Sequence, residues 1–253
     1  MTSIIEKINQ SRYNLKKYLA DEWDVSTIPN YSASEIESLY TINAPKNPDI
    51  LSFGQASGCN FSVKHKLIPM HSLHVIYYNF PELDKKPLKI TKNICDKITE
   101  IYKTDLFQDE DSILIITCEK VSEGLQKAFE DLYHKYQEEL VDMFSLELEN
   151  ENRKLPDNLE LRKSHFKNCH IFHLDTLSID ILEHRLVPPH KVIRNNVEIN
   201  KILERCNCTF KQLPIIKRDD AIGKVLRIAP GDICEITRIN DNSCESTYYR
   251  GCH

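Results

Sequence analysis

The spacing of apolar residues predicts helices in the first third of the chain. Apolar positions recur every three or four residues over 4–19, with Lys and Glu between them, which is typical of an amphipathic helix. A second short helix is expected after Ser34, because a serine hydroxyl suits the N-cap position. Thr91 is expected to cap a third helix. The apolar face of that helix consists of Ile94, Ile98, Ile101 and Tyr102.

Runs of β-branched and aromatic residues predict strands at 50–53, 73–78 and 168–174. Residues 112–118 form a continuous apolar run between polar neighbours, which indicates a strand buried on both faces. A long helix is expected from Ser122 onward. Its apolar stripe contains Leu125, Phe129, Leu132, Tyr136, Leu140 and Phe144. This order of elements predicts an α/β domain with a mixed sheet over residues 1–175.

Charged residues dominate the end of that long helix. Residues 137–163 hold eight Asp or Glu against four Lys or Arg, and we interpret 147–164 as a charged insertion that forms a solvated loop or frayed helix. Beyond residue 177 the elements become shorter. Helices are expected at 197–205 and 221–226 on either side of Pro214, and a hairpin at 232–238 and 247–250. Residues 177–253 therefore read as a second, small α+β domain.

Composition narrows the classes of function. The net charge is −5, so the chain lacks the strongly basic character of a protein that holds DNA by itself. No apolar run approaches the roughly 20 residues of a membrane span, and the first residues lack the apolar core of a signal peptide. We therefore expect an intracellular protein whose nine cysteines are thiols, with no membrane partner. Six glycines, none in a phosphate-loop arrangement, exclude a glycine-rich phosphate loop of that kind. We also expect no cofactor and no small-molecule substrate.

Short phrases in the second domain occur in a fixed order that carries a resemblance. They are His184 with Leu186-Val187-Pro188 and His190, then Leu213-Pro214, Asp220, Gly231-Asp232, Arg238 and Arg250. In this order they resemble the fifth-largest shared subunit of eukaryotic DNA-directed RNA polymerases and its archaeal homologue. Ala221 and Pro189 depart from that family's usual proline and lysine, which indicates a divergent member, such as one from a large DNA virus or a fast-evolving eukaryote.

The resemblance implies a non-catalytic polymerase subunit with no cofactor. In that family the C-terminal domain anchors the chain to the largest polymerase subunit, so the residues of the phrases above become the expected partner-binding set. The first domain would be a jaw of restriction-endonuclease-like topology beside downstream DNA, with Lys120 and Ser122 closest to it. The location would be the host cytoplasm or the virion for a virus, and the nucleus for a cell.

Plainer readings of the same residues stay open. Arg238 and Arg250 lie on paired strands, where a guanidinium can bind a carboxylate through two hydrogen bonds, but exposed strand arginines are often only solvated. Lys120 and Ser122 also fit an ordinary polar turn. A free-standing transcription regulator built on the same domain is a further alternative.

Two alternatives would involve a bound metal ion. A metal-dependent nuclease would need an Asp and an Asp/Glu-x-Lys on adjacent strands; the nearest residues are Asp49, Asp84-x-Lys86 and Glu119-Lys120, and their spacing does not meet this need. A zinc site would draw on two groups, which are His165, Cys169, His170 and His173, and Cys206 and Cys208. On a strand, Cys169 and His173 face opposite to His170, which makes one tetrahedral site awkward. The sequence therefore predicts neither a catalytic nor a metal site.

Overall fold

The structure of the protein is a computed structural model, and it describes residues 3–41, 49–68, 70–83, 85–87, 89–150, 163–240 and 244–253. The chain divides into two compact units. The N unit consists of Met1–Glu139 and Phe166–Ile179, and the C unit consists of Leu140–His165 and Asp180–His253.

The first five α-helices of the described residues are interspersed along the chain with the strands given below. They are α1 (Ile4–Leu19), α2 (Ala33–Tyr40), α3 (Asn93–Lys103), α4 (Glu123–Asn150) and α5 (Leu174–Leu177). The predicted bounds of α1 are confirmed, and α4 begins directly after Ser122 as expected. Two predicted caps are wrong. Ser32 caps α2 in place of Ser34, and α3 follows Lys92 without any side-chain cap from Thr91.

The predicted mixed sheet of the N unit is confirmed. Its strands are β1 (Phe61–Lys64), β2 (Ser72–Tyr78), β3 (Ser112–Thr117) and β4 (Cys169–His173), in the order β1-β2-β3-β4. The last three are parallel, and β1 pairs antiparallel with β2. All six residues of β3 are buried, as the continuous apolar run predicted. The sequence did not predict β1.

The predicted strand at 50–53 is wrong, because a side chain closes a turn there. The Asp49 carboxylate accepts hydrogen bonds from the backbone N–H of Ser52 at 2.8 Å and from its hydroxyl at 2.7 Å. Aspartate commonly stabilises a turn in this way. Ile50 is buried in the core of the N unit, so the apolar signal reported burial and not a strand.

Both faces of this sheet are covered. Ile113 and Ile115 of β3 pack in a core that also receives α3 and α4. The helix residues in that core are Ile94, Ile98, Ile101, Tyr102, Leu125, Phe129, Leu132 and Tyr136. On β2, Tyr77 meets α1 through a 2.9 Å hydrogen bond to Ser11. Burying one such aliphatic or aromatic side chain stabilises the folded state by about 1.5–3 kcal/mol. Apolar residues therefore recur at the positions that face the core, and this periodicity is what predicts most of these residues from the sequence. Leu140 is buried, and the side chain of Phe144 lies outside the described residues.

The C unit is built on a second four-stranded sheet. Its strands are β5 (His190–Ile193), β6 (Ile215–Ile216), β7 (Ile233–Asn240) and β8 (Cys244–Cys252), in the order β5-β7-β8-β6. The two further helices are α6 (Asn196–Cys206) and α7 (Ala221–Val225). The predicted antiparallel hairpin, β7 with β8, is confirmed, and so are both helices. The short outer strands β5 and β6 were not predicted.

Successive residues of β7 supply two different cores. Ile233 packs with the α6 residues Ile199 and Ile202. Cys234 and Ile236 point the other way and pack with Ile228, next to α7. The alternation of side chains along a strand produces this arrangement. The C unit is therefore a sheet covered by a helix on one face and by α7 and the segment after it on the other.

Candidate assembly interface

An extended segment runs over the surface ahead of β5. Pro188 and Pro189 prevent it from continuing as a helix. The backbone N–H of Val187 donates to the carbonyl of His184 at 2.8 Å, and that of Thr237 in β7 donates to the Pro189 carbonyl at 3.0 Å. Leu186 is held on this segment with 75% of its surface exposed. The segment thus presents a large apolar side chain from a backbone fixed to the sheet.

The two sequence-predicted arginines lie on the same face of the hairpin. Arg250 of β8 is paired with Cys234 of β7, and Arg238 is paired with Ser246. Cys234 and Arg238 are four residues apart on β7, so their side chains, and that of Arg250, lie on the same face. The Arg238 guanidinium lies 4.7 Å from the centre of the Tyr248 ring, and Tyr248 is 44% exposed. Arg250 donates a 3.0 Å hydrogen bond to the carbonyl of Ile215 in β6. Both guanidinium groups are therefore positioned by the unit itself.

His190 of β5 lies beside the hairpin that carries the two arginines. It lies in register with Ile236 and, through it, with Tyr248. Burial lowers the pKa of His190, and so do the positive charges of Arg238 and Arg250. The hydrogen bond to the Pro188 carbonyl and the negative charge of Asp220 raise this pKa by less, so the net shift is downward. Asp220, Arg238 and Arg250 thus each lie near enough for their charge to act on His190. We call the surface formed by His190, Asp220, Arg238, Tyr248 and Arg250 the arginine face.

Asp220 has a local role as well. Its carboxylate caps the first turn of α7 by accepting from the N–H groups of Ile222 at 3.0 Å and Gly223 at 3.5 Å. The side chain is exposed, so the cap leaves it on the arginine face.

Asp232 is at the centre of the C unit and not on its surface. It is 0% exposed. Its carboxylate accepts from the Arg194 guanidinium, from the N–H of Ala229 at 3.0 Å, and contacts His165 Nε2 at 3.0 Å. Burial raises the pKa of Asp232, but Arg194 and His165 lower it by more, so that the net shift is downward. We assign Asp232 to internal structure, which corrects its place in the partner-binding set.

Sequence reasoning missed the partners of Asp232. Arg194 follows directly on β5, a strand that was not predicted. Its guanidinium also donates to backbone carbonyls, at 3.2 Å to that of Leu226. The sequence indicates His165 only as a candidate metal ligand. The sequence signal that points to such partners is Asp232 directly before the apolar residues of β7. An Asp buried in that position needs a cation or hydrogen-bond donors beside it.

Three other predicted residues serve the fold. Leu213 is buried in the core beneath α6. Pro214 is exposed, and its carbonyl accepts from the N–H of Gly251 at 2.9 Å. Gly231 adopts φ 95°, a conformation that favours glycine, and its N–H donates to the carbonyl of Cys252. The core location of Leu213 corrects its assignment as a contact residue.

In the N unit, the turn after β3 is occupied with internal contacts. The Glu119 carboxylate accepts from the backbone N–H of Ile90 at 2.9 Å. The Ser122 hydroxyl accepts from the N–H of Leu125 at 3.3 Å, which makes Ser122 the N-cap of α4. Lys120 is exposed. Both residues predicted to lie near DNA are therefore exposed, and Lys120 is the one that carries a positive charge.

Among the described residues, the candidates for a nuclease site and for a zinc site are not brought together in one cluster. Asp49 closes its own turn, Glu119 is bound to backbone, and Asp84 lies outside the described residues. Among the residues that the structure describes, no three His, Cys, Asp or Glu side chains are grouped so that they could hold a metal ion. Within the same residues, no helix is long and apolar enough to cross a membrane.

Comparison with known proteins gives the class of the C unit. Residues 179–252 match the family model described as RNA polymerase Rpb5, C-terminal domain. Among curated proteins, DNA-directed RNA polymerase subunit Rpo5 of Methanococcus maripaludis is 39% identical over 70 residues, which are 28% of this chain and 88% of the relative. Rpo5 of Archaeoglobus fulgidus is 38% identical over 74 residues, 29% of this chain and 96% of the relative. Rpo5 of Sulfurisphaera tokodaii is 40% identical over 74 residues, 29% and 87% of the two chains.

These matches define a small polymerase domain. The chain belongs to the Rpb5/Rpo5 family of DNA-directed RNA polymerase subunits. The resemblance predicted from the phrases between His184 and Arg250 is thereby confirmed.

Proposed function

We propose that this protein is a non-catalytic subunit of a multisubunit DNA-directed RNA polymerase and that its C-terminal domain, residues 177–253, anchors it to the largest subunit. The arginine face is the observation that carries the anchoring proposal. It combines two positioned guanidinium groups, an exposed tyrosine and an imidazole on one sheet surface, and Arg and Tyr are enriched where protein interfaces are strongest.

Leu186 extends the proposed contact beyond charge. Its apolar side chain is fixed on the segment from His184 to Pro188, so little conformational entropy would be lost when a partner covers it. Arginine pairs with carboxylates through two parallel hydrogen bonds, so the partner surface should offer Asp or Glu opposite Arg238 and Arg250.

We further propose that residues 1–175 form the jaw, with restriction-endonuclease-like topology, and lie near downstream DNA. The mixed sheet with parallel β2, β3 and β4 and helices against both faces supports this topology. The net charge of −5 favours DNA contact that depends on the assembled polymerase. A polymerase subunit works inside the cell or virion, in whichever compartment holds the enzyme.

The anchoring proposal is tested by purifying the tagged full-length chain from its source and quantifying the largest polymerase subunit that accompanies it. Arg238→Ala with Arg250→Ala should reduce that recovery at least about tenfold, since two buried charge-assisted contacts would be lost. The matched control is Lys191→Ala with Arg205→Ala, which removes the same charge from the same unit. Equal recovery for both folded double variants would overturn the assignment of the arginine face.

The division of labour has its own test. The fragment 182–253 should bring down polymerase subunits, and the fragment 1–175 should not. The reverse result, with both fragments folded, would show that the jaw makes the main contact.

DNA proximity is tested in the assembled polymerase. A photoreactive residue at Lys120 should crosslink to downstream DNA, and one at Lys127, which is exposed on the first turns of α4, should crosslink less. Crosslinking from position 127 alone would place DNA elsewhere on the jaw.

A further inference from the structure

Three polar side chains form a line across strands β1 and β2 and the start of β3 in the N unit. The Ser62 hydroxyl lies 2.7 Å from His74 Nδ1. On the other side of the same ring, His74 Nε2 lies 3.3 Å from Asp111 Oδ2. Exposure decreases along the line, because Ser62 is exposed, the His74 side chain is 16% exposed and that of Asp111 is 8% exposed. No residue of this line belongs to the C unit, so its chemistry is independent of the anchoring proposal.

Strand register explains how Ser62 and His74 meet. Ser62 is directly opposite His74 in the antiparallel pair of β1 and β2. The N–H of His65 donates to the carbonyl of His71, so these two residues form a hydrogen-bonded pair. Hydrogen-bonded and non-hydrogen-bonded pairs alternate along an antiparallel ladder, and Ser62 is three positions before His65. Ser62 and His74 are therefore a non-hydrogen-bonded pair. Side chains are closest in such pairs. By the same alternation the N–H of Ser62 points to the outer edge of β1, beside its own hydroxyl.

Asp111 is held as a fixed anion. Its carboxylate accepts from the backbone N–H of Ser72 at 3.0 Å and from that of Gln108 at 2.9 Å. Burial raises the pKa of Asp111, but the contacts with His74, Gln108 and Ser72 lower it by more, so the net shift is downward.

The imidazole is positioned by ring stacking. The His74 ring stacks on Phe107 with centres 3.7 Å apart and planes 4° from parallel. A carboxylate facing Nε2 favours the tautomer with its hydrogen on Nε2, which leaves Nδ1 as the acceptor for the Ser62 hydroxyl. Relative to the triad of serine proteases the ring is turned over, because there Nε2 faces the serine. The roles are unchanged, since either ring nitrogen can take a proton when the other is held.

We propose that Ser62 is an activated nucleophile that accepts an acyl group from small activated esters, with His74 as its general base and Asp111 as a positioning residue. Ser62 Oγ would attack the carbonyl carbon of the ester while its proton passes to His74 Nδ1. The ester C–O bond then breaks, and the leaving alcohol takes the proton from His74. The product is an acylated Ser62 with one equivalent of free alcohol. The outward-pointing Ser62 N–H would be the candidate hydrogen-bond donor for the oxyanion that forms during the attack.

The test uses a fluorophosphonate probe on the purified full-length chain, with adducts located by peptide mass spectrometry. The probe forms a P–O bond at a nucleophilic serine, loses fluoride by cleavage of its P–F bond, and releases the serine proton through the base. Ser62 should be labelled, and Ser38, which is exposed on α2, serves as the internal control in the same sample. No adduct on Ser62, or equal adducts at Ser62 and Ser38, would overturn the proposal.

Variants separate a catalytic base from a structural clamp. His74→Ala should slow labelling of Ser62 by about 100-fold, the usual contribution of a general base, and added imidazole should restore part of the rate. A clamp would not give this rescue. Should His74→Ala disturb the emission of the single tryptophan, Trp23, the measurement is repeated with His74→Gln, which keeps a polar side chain but supplies no base. Labelling of either folded variant at the unaltered rate would rule out His74 as the base.

Discussion

At the scale of single residues, burial decides what a charged side chain does. Asp232 and Asp220 come from the same set of sequence phrases, yet one is fully buried and the other exposed. Asp232 is compensated by Arg194, His165 and a backbone N–H. Removing one member of such a buried group costs far more than removing a surface charge, because the remaining charge loses its partner.

Asp232→Asn is therefore expected to destabilise the C unit by about 3–5 kcal/mol, since the partly buried Arg194 would lose its carboxylate partner. Hydrogen exchange of peptides from β7, followed in increasing urea, measures this unfolding free energy. Asp220→Asn is the matched control and should change it by less than about 0.5 kcal/mol, because asparagine caps a helix as well as aspartate does. Equal effects of the two variants would contradict the buried role of Asp232.

The same carboxylate predicts an acid limit. Its pKa in the folded unit lies below the unfolded value of about 3.9, so the ionised form stabilises the folded unit above that pH. This contribution is lost as the pH falls through the folded-state pKa. The unfolding free energy should thus decline on acidification below about pH 4, and the decline should be shallower in Asp232→Asn. Parallel pH curves for the two proteins would show that other groups cause the acid sensitivity.

At the scale of elements, long periodic segments were predictable and short ones were not. The helix at 4–19 and the apolar strand at 112–117 were identified because each repeats its pattern several times. The strands β1, β5 and β6 have four, four and two residues, which is too short for a period to register. They are strands because a neighbouring strand supplies the hydrogen bonds.

The cap of α2 is an element-scale prediction. Ser32 and Glu35 form a reciprocal capping box, with the Ser32 N–H donating to the Glu35 carboxylate at 2.7 Å. Ser32→Ala should cost about 1 kcal/mol, and Ser34→Ala should be within about 0.5 kcal/mol of neutral. Trp23 fluorescence during urea unfolding reports the N unit, because this tryptophan is buried there. A larger loss of unfolding free energy in Ser34→Ala than in Ser32→Ala would show that Ser34 is the N-cap, as the sequence predicted.

At the scale of the whole molecule, the C unit includes residues that precede the matched domain. Ser164 donates to the Pro230 carbonyl at 3.0 Å, and His165 contacts Asp232. Both come before residue 179, where the family match begins.

A fragment 163–253 should consequently be more stable than 182–253, by about 1–3 kcal/mol, because it retains these two buried contacts. Thermal unfolding followed by circular dichroism compares the two. His165→Ala in the longer fragment should remove most of the difference. If the two fragments melt together, the contacts of Ser164 and His165 contribute nothing to stability.

The sequence alone determined the family, the long helices, the buried strand β3 and the hairpin of the C unit. These depend on local periodicity and on phrases that can be read in order along the chain. Tertiary structure alone decided which predicted contact residues are buried, that Ser32 caps α2, and that Ser62, His74 and Asp111 lie in line. The reason is physical: burial and side-chain pairing depend on strand register and on which elements are neighbours. Residues 62, 74 and 111 become neighbours only when β1, β2 and the start of β3 pair in one sheet.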